Sequence, residues 1–101
     1  MRQTIGTFVS DHGQTEVIVC RYQLDSRCPA VILHSNGGWV ATLSVYLEGY
    51  IPDEGCFLVK TWSGNEKVAA QALASGLFED TGQRIPAGLV EAQVWRFKVA
   101  V

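Results

Sequence analysis

Between V-I-L-H-S and W-V-A-T-L-S-V-Y-L stand Asn36, Gly37 and Gly38. Asn-Gly tolerates positive φ at both central turn positions, and that backbone matches the twist of two paired strands. A tight antiparallel hairpin is therefore predicted. In its second arm Trp39, Ala41, Leu43, Val45 and Leu47 share one parity, while Thr42, Ser44 and Tyr46 take the other. Alternation with period two describes a strand that turns one face to a core.

The rest of the chain keeps the same rhythm. Residues 3–10 and 15–24 read as an earlier hairpin around Asp11-His12-Gly13-Gln14, with Ile18, Cys20, Tyr22 and Leu24 on one face of its second arm. Residues 25–30 and the acidic stretch 48–55 are loops, and C-F-L-V-K-T-W at 56–62 is a further strand. After a helix, L-F-E-D-T-G-Q-R-I-P predicts a short hairpin turning at Thr81-Gly82. In the last strand, Leu89–Val101, apolar parity passes from Val90, Ala92 and Val94 to Trp95, Phe97 and Val99. One extra residue near 94–95 would restore a single buried face, so a β-bulge is expected there. This strand has no breaker after it and is expected at a sheet edge.

Ser63 and Glu66 carry the capping-box spacing, in which a hydroxyl and a carboxylate satisfy the free amides of a helix start. Val68, Ala69, Ala72 and Leu73 follow at helical spacing. Gly76 is the expected stop. The helix should cover about residues 64–75. The class is α+β: a curved antiparallel sheet or partly open β-barrel of five to seven strands, with one helix over an end or face. Residues 1–101 form one domain of common size.

Composition narrows the function. Apolar residues make up 48% of the chain and charged ones 18%, with a formal net charge of -2. So apolar a composition is slightly more than a small monomer can easily hide, which suggests a subunit interface, and a homodimer is expected. The cations are scattered and form no basic stripe, which disfavours nucleic acid. The apolar runs are far too short to cross a membrane, and the start has no signal-peptide pattern. A cytoplasmic protein is expected. The three cysteines, Cys20, Cys28 and Cys56, are odd in number and irregular in spacing, as for reduced thiols rather than a disulfide framework.

The stretch from Gly55 to Phe97 contains K-T-W-S-G-N-E, a helical segment, then T-G-Q-R-I-P-A-G. It resembles the C-terminal part of a family of small bacterial proteins, of the kind carried as cargo by mobile elements and gene cassettes. Lys60, Thr61, Trp62, Ser63, Asn65, Glu66, Thr81, Gly82, Pro86 and Gly88 carry the likeness. The resemblance covers under half of the chain, and it implies no activity and no catalytic residue.

The candidate sites follow from residue chemistry. No metal site is expected, because the cysteines and His34 lack any paired ligand spacing. No catalytic residue and no cofactor are assigned. The aromatics Trp39, Tyr46, Tyr50, Trp62 and Trp95 flank polar turns and would line an apolar pocket if they met on a concave sheet face. Lys60, Ser63 and Gly64 could form an anion site at the helix start. The expected function is a non-enzymatic binding or adaptor module, holding a small apolar ligand or a protein partner on its aromatic face or exposed edge. The alternative is a small enzyme with a site at a subunit junction, using His34 and a carboxylate of the 48–54 loop.

Overall fold

A computed structural model describes residues 2–101. Its elements are β1 (Gln3–Ser10), β2 (Gly13–Arg21), β3 (Pro29–Ser35), β4 (Gly38–Thr42), β5 (Cys56–Val59), α1 (Glu66–Ala74), β6 (Phe78–Ala87) and β7 (Val90–Phe97). The fold is α+β. Two antiparallel sheets, ordered β1-β2-β3-β4 and β5-β7-β6, flank the single helix. They do not close into a barrel.

The β3–β4 turn forms as its sequence dictates. Asn36 and Gly37 have φ of 54° and 78°, and Ser35 pairs with Gly38. Beyond Thr42 the chain crosses between the sheets. The Leu43 amide donates to Val31 O in the first sheet, and the Val45 amide donates to Leu58 O in the second. The Lys60 amide returns a bond to Leu43 O. Residues 43–45 therefore stitch β3 to β5.

The main core lies between the sheets and under the helix. Val17, Val31, Leu33, Leu43, Val59 and Ala72 are fully buried there. Four aromatics pack together: Phe57 stacks on Phe97 with ring centroids 4.8 Å apart, Phe78 meets both rings of that pair, and Trp95 meets Phe57 and Phe78. Such contacts add about 0.5–1.5 kcal/mol each beyond burial. A second, smaller cluster joins Cys56, Leu58, Ala92 and Val94 on the opposite face of the second sheet.

Five expectations change. In β2 the face toward the main core is Thr15, Val17 and Val19; of the opposite set Ile18 is buried, Cys20 and Tyr22 are half-buried and Leu24 is exposed. In β4 a register shift leaves Val40 unpaired, because Leu33 opposes Ala41 while His34 opposes Trp39. The bulge breaks the parity and turns Trp39 outward, while Ala41 and Leu43 stay in the core. Thr81-Gly82 is not a hairpin tip. It is a bulge in the ten-residue β6, where Asp80 opposes Trp95 and Arg84 opposes Gln93. An ion pair between Asp80 and Arg84 at 2.9 Å braces it. The turn into β7 comes later, at Gly88-Leu89. Finally, β7 has no bulge, since Val59–Cys56 pairs with Gln93–Arg96 without a break. The apolar parity changes because both faces are covered: Ala92 and Val94 enter the small cluster, Trp95 and Phe97 the main core. β7 is the central strand of its sheet, not an edge.

Candidate functional site

The helix start is built differently from a capping box. Ser63 lies in the left-handed region at φ 54°, and the N-cap is Asn65, whose side chain makes no capping bond. The Glu66 carboxylate does reach back, but to the Gly64 amide, at 2.8 Å. The Asn65 side chain serves another purpose. Its Nδ2 donates to Thr42 O at 2.8 Å and to Lys60 O at 3.2 Å. A buried amide thus ties the helix start to the outer edge of β4.

Beside that tie runs a groove of about 240 Å³ between β4 and α1. Trp39, Val40 and Ala41 form one wall, and Ser63, Gly64 and Val68 the other. Trp39 is 66% exposed, and its indole Nε1–H donates to Thr42 Oγ1 at 3.2 Å, which fixes the ring along the edge. At one end Lys67 and Gln71 close on Asp11 from the β1–β2 turn. Hydrogen bonds from Lys67 and Gln71 hold the Asp11 carboxyl below its ordinary value, and Asp11 raises Lys67 in return. His12 completes the rim.

The groove unites two candidates that the sequence separated, Trp39 and the Ser63–Gly64 helix start. Lys60 lies outside it. The other aromatics are dispersed. Trp95 is 1% exposed within the core. Trp62 and Tyr50 pack against the small cluster. Tyr46 lies against Tyr22, with ring centroids 5.5 Å apart. The five therefore do not share one pocket. Asp11, His12, Lys67 and Gln71 were not among the candidates; they meet the groove only because the β1–β2 turn and α1 converge.

A larger, polar cleft of about 450 Å³ separates residues 21–29 from the 51–56 segment. Arg21 and Arg27 face Asp53 and Glu54 across it. Arg27 is already occupied, since its Nε and Nη2 donate to the two Asp25 oxygens at 3.0 and 2.9 Å. His34 and the 48–54 loop stand apart within one chain. The Cys28 thiol approaches Tyr50 O beside Pro29, at the far end of β3 from His34, about 17 Å of strand away.

Among the described residues no group of three or more His, Cys, Asp or Glu side chains could hold a metal. Cys20, Cys28 and Cys56 are unpaired, and burial pushes the Cys28 thiol up. No helix among the described residues is long and apolar enough to cross a membrane. No protein-family model, curated protein or solved structure matches the chain, so its similarities assign it no family.

Proposed function

We propose that the protein is a non-enzymatic binding module that docks a partner protein in the groove beside Trp39. The observation that carries this reading is Trp39 itself, a large indole held in place yet two-thirds exposed along an edge strand. Tryptophan is enriched among the few side chains that dominate the energetics of protein interfaces. The groove is smaller than the roughly 300–1,000 Å³ of small-ligand sites, and suits one inserted apolar side chain. Asp11 and Lys67 supply a charged rim around an apolar wall, the usual anatomy of a docking patch.

An enzyme is the weaker reading. Ser63 and His12 both border the groove, but no hydrogen bond joins them, and a serine nucleophile needs a base within reach. The unpaired cysteines and the lack of a basic stripe favour a cytoplasmic module that binds protein rather than nucleic acid. The likeness to mobile-element cargo belongs to the same proposal. Capture from a native lysate tests it. Wild type should retain a protein that Trp39→Ala loses; equal capture by both would refute the groove.

A further inference from the structure

The cleft of about 450 Å³ between residues 21–29 and 51–56 has two braced walls. On one side Arg21 pairs with Pro29, where β2 ends and β3 begins. There the Tyr22 amide donates to Cys28 O at 3.1 Å, and the Cys28 amide to Asp25 O at 3.0 Å. On the other side the Cys56 amide donates to Asp53 O at 3.0 Å, and the Phe97 amide to Gly55 O at 2.9 Å. The cleft is therefore preformed, and its volume falls within the roughly 300–1,000 Å³ of small-ligand sites.

The charges on these walls are opposite in sign and do not meet. Among the described residues the ion pairs are Arg27–Asp25, Lys67–Asp11, Arg84–Asp80 and Arg96–Glu79. Arg21, Asp53 and Glu54 belong to none of them, and all three are exposed. Arg27, the other cation of the cleft, is held by Asp25. The cleft thus carries one unpaired guanidinium on one wall and two unpaired carboxylates on the other. These three charges add no pairing to the fold.

We infer that this cleft binds a small zwitterion, with its carboxylate on Arg21 and its ammonium on Asp53 or Glu54. The forked donors of a guanidinium match a carboxylate in two parallel bonds. An ammonium brings three donors, which neighbouring carboxylates accept. A ligand of single charge would satisfy one wall and leave the other unmatched. Pro29, Ile51 and Pro52 also line the cleft and suit an apolar side chain. The ligand class is therefore an apolar amino acid or a short apolar peptide with free ends. The cleft shares no lining residue with the Trp39 groove, so either proposal can fail alone.

The test is a titration followed in nitrogen–proton correlation spectra, with leucine and leucyl-leucine as the zwitterions. Leucinamide keeps only the ammonium, and N-acetyl-leucine keeps only the carboxylate. At least one zwitterion should shift the amides of Ser26, Gly55 and Cys56 to saturation; the tighter of the two shows which length fits. Each single-charge analogue should bind leucine's site roughly fivefold more weakly or worse, as for the loss of one exposed charge pair. Arg21→Gln, and Asp53→Asn combined with Glu54→Gln, change only exposed side chains and should keep the wild-type circular dichroism. Each should weaken the zwitterion by a similar factor. No saturable shift from either zwitterion, analogues that bind as well as leucine, or folded variants that bind as well as wild type would each overturn the inference.

Discussion

The side-chain amide of Asn65 donates to the carbonyl of Thr42, 23 residues earlier, at 2.8 Å. This bond sets the distance between the helix start and the β4 edge, and so sets the width of the groove. Asn65 is 8% exposed, and its second bond reaches Lys60 O. Asn65→Ala leaves both carbonyls without this donor. It should cost about 1–3 kcal/mol, read as a lowered denaturant midpoint at unchanged slope. Asn65→Asp should be damaging too, since a carboxylate would face two carbonyl oxygens.

Ser63 should behave unlike a cap. It is held at φ 54°, a conformation that costs a side-chain-bearing residue roughly 1 kcal/mol and glycine almost nothing. Ser63→Gly should therefore leave stability unchanged or raise it slightly in thermal unfolding. A capping serine replaced by alanine would cost about 0.5–2 kcal/mol; here Ser63→Ala should cost less than that range.

The β3–β4 turn is the opposite case. Gly37 sits at φ 78°, where a β-branched side chain is strained, so Gly37→Val should lower the melting temperature clearly. Gly37→Asn, which tolerates the left-handed region, should recover most of the loss.

Tyr22 gives a prediction in pH. Its hydroxyl bonds to Ser44 Oγ at 2.8 Å, and Ser44 Oγ accepts the Val31 amide at 2.8 Å. Burial raises the phenol above its ordinary value of 10.0. The unfolded chain therefore releases this proton first. The neutral phenol contributes fully below about pH 10, and that contribution is lost as pH rises through the raised folded value. Urea midpoints should fall above pH 10 in wild type and fall less in Tyr22→Phe. At neutral pH the variant should cost about 0.5–1.5 kcal/mol for the lost bond.

How much of this was legible depends on range. The Asn36-Gly37 turn is a local matter of φ, and the residues alone determine it. So is the stripe Val68, Ala69, Ala72, all buried in the helix as its spacing requires. Trp39 shares parity with Ala41, and only the pairing with β3 reveals the extra residue Val40 between them. The parity change at Trp95 has two explanations in sequence, a bulge or two covered faces. Which one holds depends on whether a second cluster forms around Cys56 and Leu58, far away in the chain. Ser63 and Glu66 have the spacing of a capping box, but the positive φ at Ser63 moves the cap two residues on. The groove was legible in part: Trp39, Ser63 and Gly64 stood out by type. Asp11, Lys67 and Gln71 are ordinary surface residues until the β1–β2 turn meets the helix.

The central claim is that Trp39 and the helix start hold a partner protein, and site-specific photo-crosslinking in living cells tests it most directly. A photoreactive phenylalanine analogue is placed at Trp39, at Lys67 on the groove rim, and at Leu89, which is fully exposed and does not line the groove. The account predicts the same heterologous adduct from positions 39 and 67 and none from position 89. No adduct from 39, or the same adduct from 39 and 89 alike, would contradict it.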